Sequence, residues 1–248
     1  MIRLLTDFSP CVPAYGLALE EAVFEAVRNG CNDTLRLWVN GRAVIIGRSQ
    51  SAAAEVDQSQ AKTLGVPILR RLSGGGTVYH YPGNLNVSLM LRDGRSLGGV
   101  KKTFRSCGEA IARSLGGLGF TITVRENSLF VGEKKIAGAA QARRGNALLY
   151  HSTLLVKPDT IPMGCLLRAV NRNYRPIGVP SRPHPTTTIA EATGQNLPLE
   201  EIGRGIVVEF CRLLHSSAGA GSLDVDEQKC AQKLATEKYE RVEWNNCR

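Results

Sequence analysis

Residues 66–90 read VPILRRLSGGGTVYHYPGNLNVSLM, and they restrict the fold more than any other stretch. A short apolar run, Val66, Ile68 and Leu69, leads into the basic pair Arg70 and Arg71. Gly74, Gly75 and Gly76 follow, and their missing Cβ atoms let the backbone take positive φ and lie close to a ligand. Two guanidiniums beside such exposed N–H groups suit an anion. The phosphate-loop spacing GxxxxGK[ST] is absent, so a hairpin eased by glycines is the alternative reading. Tyr81-Pro82-Gly83 then signals a turn. Beyond it Asn84, Asn86 and Ser88 alternate with Leu85, Val87 and Leu89, the period of a strand. Its polar face must meet either solvent or a polar cavity.

The 248 residues suffice for one large α/β unit, with ordinary hydrophobic and charged fractions of 43% and 21%. No apolar run approaches the roughly 18 residues of a membrane helix, and MIRLLTDFSP lacks the core of a secretory signal. A cytoplasmic location without membrane partners is therefore expected. Seven cysteines at 11, 31, 107, 165, 211, 230 and 247 are scattered and never spaced CxxC, which argues against a disulfide framework or zinc site. A net charge of +9 points to an acidic partner or ligand, but no nucleic-acid-binding signature accompanies it.

Along the chain, residues 16–29 carry apolar side chains at helical spacing, with Gly30 as a stop. TLRLWVN and RAVIIGRSQ read as two strands joined by an Asn40-Gly41 hairpin turn, and residues 51–65 as a helix. VKKTFRSCGEAIARSLGG is an amphipathic helix with Cys107 on its apolar side. Residues 120–156 then read as strand, turn, strand, a short turn or helix, and strand, which favours a mixed, largely antiparallel sheet. Prolines at 158, 162, 176, 180, 183 and 185 mark a long ordered loop or a flap. An amphipathic helix spans 199–217, a Gly/Ala/Ser patch follows at 216–222, and a last helix runs to EKYERVEW. The helical C-terminal part covers about 196–248.

The ordered set RRLSGGGTVYH followed by GNLN resembles the lipoate–protein ligase A family, and the resemblance runs essentially along the whole chain. It implies an α/β fold of the biotin/lipoate ligase type, with mixed, largely antiparallel sheets flanked by helices. Trp38, Asn40, Gly47, Arg48, Gln50 and Glu55 stand in the order of the family's pocket-supporting strands. Lys135, in EKKIAGAAQ, matches the family's central electrostatic residue, whereas Lys134 reads as solvent-facing. His151, with Thr153 beside it, matches an H-x-[ST]-L-L strand. The resemblance thus implies a ligand site of Arg48, Arg71, Ser73, Gly74, Gly75, Gly76, Val78, His80, Asn84, Asn127, Lys135, Gly138, Ala139, Ala140, His151 and Thr153.

The implied reaction consumes ATP with Mg²⁺. Lipoate attacks the α-phosphate, and a carrier-protein lysine then takes the acyl group from lipoyl-AMP. Arg71 and Lys135 would suppress repulsion between the two anions. The expected carriers are an E2 lipoyl domain of a 2-oxoacid dehydrogenase, a glycine cleavage H protein or a lipoate-binding protein. Relatives often continue past the EW element into an accessory domain; this chain stops there, so a single catalytic unit over 1–248 with a separate small accessory protein is expected.

Two positions depart from the family. Asn127-Ser128 stands where Asn-Asp is usual, removing the acid that helps hold the metal, and His80-Tyr81 replaces His-Asp. A rival is a related transferase that moves octanoyl or lipoyl groups through a cysteine thioester without ATP. Its nucleophile falls where this chain has GFTITVREN, leaving Cys165 as the substitute thiol, and its TGGR is SGGG here. Biotin ligases carry a GRGR segment that is absent. A non-catalytic acyl- or carrier-binding relative is the third reading, kept open by Ser128.

Overall fold

The computed structural model describes residues 1–170 and 173–247; residues 171–172 of the proline-rich run, and Arg248, lie outside the described residues. The strands are β1 (Ile2–Cys11), β2 (Thr34–Asn40), β3 (Ala43–Ile46), β4 (Ile68–Arg70), β5 (Val78–His80), β6 (Asn84–Leu91), β7 (Thr123–Arg125), β8 (Ser128–Val131), β9 (Lys134–Arg144), β10 (Ala147–Leu155) and β11 (Ala218–Ala220). The helices are α1 (Pro13–Arg28), α2 (Ala52–Glu55), α3 (Gln58–Thr63), α4 (Val100–Gly116), α5 (Ile189–Thr193), α6 (Leu199–Leu213), α7 (Val225–Leu234) and α8 (Val242–Asn245).

An 8-stranded sheet runs β11-β1-β2-β6-β10-β9-β8-β7, parallel only around β1 and antiparallel from β2 onward. A 3-stranded sheet, β4-β3-β5, stands beside it. This is the mixed, largely antiparallel α/β arrangement expected. Leu85, Val87 and Leu89 of β6 and Leu148, Tyr150 and Leu154 of β10 pack under Cys107, Ile111 and Leu115 of α4 and Ile202, Ile206 and Phe210 of α6. Each such apolar side chain contributes about 1.5–3 kcal/mol when fully buried. On the opposite face α1 sets Val23, Phe24 and Val27 against Met90 and Leu149. All of β6 is buried. Its polar face therefore turns inward, toward a cavity between the sheets.

Several local expectations change. Asn40-Gly41 is not a hairpin turn, because β2 and β3 belong to different sheets and Gly41 N–H donates to Cys11 O instead. The helix expected over 51–65 is broken at Val56-Asp57, where Asp57 caps α3 through Gln60 N–H. The small residues after Lys135 form no turn or helix. They continue β9 as one strand, with an extra residue inserted where Leu129 pairs Ala137 and Phe130 pairs Lys135. The Gly/Ala/Ser patch contributes β11, a strand made by pairing with β1 rather than by propensity. At the C-terminus Trp244 Nε1 donates to Arg70 O at 2.8 Å, and Asn245 Oδ1 accepts from Arg70 N at 2.8 Å. The last helix thus closes behind β4.

Candidate active site

The glycine segment turns between β4 and β5, which flank β3 on opposite sides. At the turn Gly75 has φ +90, a left-handed conformation that favours glycine. Gly47, at the end of β3, passes so close that a Cβ there would lie 2.1 Å from Gly75 O. Arg71 locks this loop from within. Its Nε donates to Ser73 Oγ (3.0 Å), Nη1 to Ile45 O (3.2 Å), and Nη2 to Gly74 O (2.6 Å) and Gly76 O (2.7 Å). Burial pushes its guanidinium down to about 10. Most of its donors are occupied by the loop, so what it offers a ligand is chiefly charge. Arg70 faces away from any ligand; it is fully buried and donates to the carbonyls of Gly47, Arg48, Gln50 and Asn245.

Between this loop and the large sheet lies a cavity of about 740 Å³. That is within the roughly 300–1,000 Å³ usual for small-molecule sites. Of the residues singled out from sequence, Arg71, Gly75, Gly76, Val78 and His80 line it from the loop side. Asn127, Lys135, Gly138, Ala139, Ala140, His151 and Thr153 line it from the sheet. Four others do not. Arg48 is exposed, and its N–H donates to Ser73 O. Gly74 contributes its carbonyl to Arg71. Asn84 is buried and donates to Tyr79 O at 2.9 Å, holding the β5–β6 turn. Ser73 lies one layer behind the wall, between Arg71 and His151 Nε2 (2.6 Å).

Lys135 is half-buried, on the strand where β9 meets the proline-rich run. Its N–H donates to Pro185 O (2.8 Å), and its carbonyl accepts from Thr187 N (3.1 Å). The ammonium has no carboxylate partner among the described residues. Burial lowers its pKa from the ordinary lysine value. An unpaired cation in such a place attracts an anion strongly.

Two polar networks brace the cavity floor. In the first, His151 Nδ1 contacts Glu20 Oε2 (2.8 Å), and Glu20 Oε1 accepts from Ser88 Oγ (2.6 Å), which in turn accepts from Trp38 Nε1 (3.0 Å). Burial alone would push the Glu20 carboxyl up; His151, Ser88 and Arg36 outweigh it and hold it below its ordinary value. In the second, Asn40 Nδ2 donates to His80 Nδ1 (3.1 Å), so His80 Nε2–H donates to Thr153 Oγ1 (2.9 Å). Burial drives the His80 pKa down to about 3, which fixes it neutral. Glu20 escaped the sequence reading, since on an amphipathic helix it looks like a surface charge.

The opposite wall comes from residues 173–188. Gln50 Nε2 donates to Val179 O (3.1 Å) and Ser181 Oγ (3.1 Å), and Ser181 Oγ donates to Glu55 Oε2 (2.5 Å). Tyr174 OH donates to the same carboxylate, and Thr77 N–H donates to Ser181 Oγ (2.9 Å). Prolines thus mark an ordered wall here. Ser181 and Tyr174 carried no sequence signal. For a divalent metal, no group of three His, Cys, Asp or Glu converges among the described residues. Ser128 and Asn127 provide only neutral oxygens, and Asn127 Nδ2 donates to Ala139 O (2.6 Å).

Comparison with known proteins gives the family. Lipoate-protein ligase A subunit 1 of Thermoplasma acidophilum is 30% identical over 98% of this chain and 95% of its own. Octanoyltransferase LipM of Symbiobacterium thermophilum is 29% identical over 92% of both. A solved T. acidophilum lipoate protein ligase with bound lipoic acid superposes with a TM-score of 0.83 at 29% identity, covering 98% of each chain. A lipoate-protein ligase A bound with ATP gives 0.82 at 29%, covering 98% of this chain and 97% of that one. A T. acidophilum bi-partite ligase described with its E2 lipoyl domain gives 0.82 at 29%, covering 98% and 95%. Residues 12–211 match the lipoyl protein ligase A/B catalytic domain, and the chain belongs to that family.

Proposed function

We propose that this protein is an ATP-dependent lipoate–protein ligase, and the unpaired Lys135 ammonium in the cavity is the observation that carries the reading. A lipoate carboxylate oxygen attacks the α-phosphorus of ATP, the bond to pyrophosphate breaks, and lipoyl-AMP forms. Two anions must meet in this step. The charge of Lys135, with that of Arg71 behind the glycine loop, offsets their repulsion and the charge of the transition state. In the second step a neutral carrier lysine attacks the acyl carbon, and AMP leaves with the electron pair of the broken C–O bond. The Lys135 backbone is held in place through its N–H and its carbonyl, bonded to Pro185 and Thr187. Mg²⁺ is proposed to arrive with the phosphates of ATP, since Ser128 replaces the usual acid and no preformed cage is present among the described residues.

The proposed acceptor is a lipoyl carrier domain. A separate accessory subunit is supported by the T. acidophilum relative, which is named subunit 1 and whose ligase is described as bi-partite. The second reading, ATP-independent acyl transfer, is favoured by the similarity to LipM. It needs a thiol in the cavity, and among the described residues no cysteine lines it. Cys165 is exposed, and burial pushes the Cys107 thiol up to about 12. Mass spectrometry of a lipoyl domain, incubated with the protein, lipoate, Mg²⁺ and ATP with and without an accessory subunit, separates the readings. The expected result is a lipoyl mass shift that requires ATP. Octanoyl transfer from a carrier donor without ATP, and no shift with lipoate, would replace the ligase by the transferase.

A further inference from the structure

Strand register places Trp38 of β2, Asn86 of β6, Thr153 of β10, Gly138 of β9 and Ser128 of β8 in one row across the large sheet. Each of these residues lines the cavity. The cationic end of the row is at β9, where Lys135 Nζ lies 3.1 Å from the position a Cβ on Gly138 would take. The other end carries an apolar patch. Trp38 belongs with Leu17, Ile45 and Val78 to one cluster, and all of them line the cavity. Asn86 stands beside Trp38 at this end, two strand spacings or roughly 10 Å from Gly138. An extended acyl chain of eight carbons, its carboxylate at Lys135, reaches Asn86 with its distal end.

The side chain of Asn86 is incompletely paired. The residue is 3% exposed; its Oδ1 accepts from Thr153 Oγ1 at 2.9 Å, and its Nδ2 has no partner. The direction of the chain of hydrogen bonds assigns that role. Cys11 Sγ donates to Asn40 Oδ1, so Asn40 presents Nδ2 to His80. Donation then passes from His80 to Thr153 and from Thr153 to Asn86. The end left over is the buried Nδ2 N–H of Asn86, a residue that lines the cavity beside Trp38. A buried donor without an acceptor is costly, so the site favours a ligand carrying an acceptor at that point. A divalent sulfur is a weak acceptor, and a methyl group is none.

We propose that Asn86 selects the acyl chain by its distal end, Nδ2 donating to a ring sulfur of lipoate and finding no acceptor on octanoate. The inference rests on the lipoate-ligase reading and adds the residue that sets its acyl specificity. The test is calorimetric binding of lipoate, octanoate and the carbocyclic analogue of lipoate in which methylene groups replace both ring sulfurs. Native protein is expected to bind lipoate about tenfold more tightly than the carbocycle, the scale of one unmade buried hydrogen bond. Asn86→Leu should bring the two acids to within about twofold and improve octanoate relative to lipoate, since no buried donor is then left unpaired. A native protein that binds lipoate without preferring it to the carbocycle overturns the inference alone, whether or not the variant folds. So does an Asn86→Leu protein that keeps the full preference. A native protein that binds none of the acids overturns the ligase reading, and this inference with it.

Discussion

The two walls of the cavity are built differently. On the sheet side, Trp38, Asn86, Thr153 and Gly138 are placed by strand ladders, and the layer beneath is packed by α4 and α6. On the other side, residues 173–188 hang largely from side chains: Tyr174 and Ser181 on Glu55, and Val179 and Ser181 on Gln50. Ladder-held residues move only if the sheet moves. A wall held mainly by the side chains of Glu55 and Gln50 can loosen while the core stays intact. Lys135 sits on the seam, its side chain over the sheet and its backbone bonded to Pro185 and Thr187.

The largest effect is therefore expected at that seam. Lys135→Ala should lower the rate of lipoyl-AMP formation by about a hundred- to a thousandfold, as for loss of one preorganised electrostatic group. Its circular dichroism and melting temperature should hardly change, because among the described residues the ammonium has no partner to strand. Gly47→Ala comes next. The new Cβ would lie 2.1 Å from Gly75 O, so the glycine loop must shift, with a loss of about 1–3 kcal/mol in denaturant unfolding and a raised KM for lipoate. An unchanged melting curve would mean the loop is not packed against β3 as described.

Glu55→Ala probes the suspended wall. Thr77, Tyr174 and Ser181 would lose an acceptor, and limited proteolysis should now cut within 173–188 while the core stays protected. KM should rise up to about tenfold, the scale of one or two lost buried hydrogen bonds. Equal loss of protection across β6 and β10 would erase the distinction between the walls. The smallest effect is on pH. Burial lowers the Lys135 pKa, so its charge is lost as pH rises through a value below the ordinary 10.5. The alkaline limb of kcat/KM for adenylation should fall there, and Lys135→Arg, which keeps its charge, should remove that limb.

Sequence order made the glycine segment, Lys135 and His151 legible, because each sits in a short run whose neighbours are contiguous. Features that arise between distant segments were not. Glu20 reaches His151 across 131 positions, and Ser181 reaches Glu55 across 126. Arg70 looked like half of an anion site, yet it ties β4 to the C-terminal helix. The alternation in NLNVSLML located a strand but could not say whether its polar face met water or a cavity; burial on both faces of β6 decides for the cavity. β1 was hidden because Asp7 and Pro10 disturb its pattern and its register with β2 shifts between them.

Lys135 is proposed to organise ATP-dependent activation of lipoate in this cavity. Lipoate-dependent ATP–pyrophosphate exchange, without a carrier and with an accessory subunit supplied, measures that step alone. The account predicts exchange in the native protein, none without lipoate, and nearly complete loss in Lys135→Ala. Exchange undiminished by that substitution, or no exchange from a native protein that transfers octanoyl groups without ATP, would contradict it.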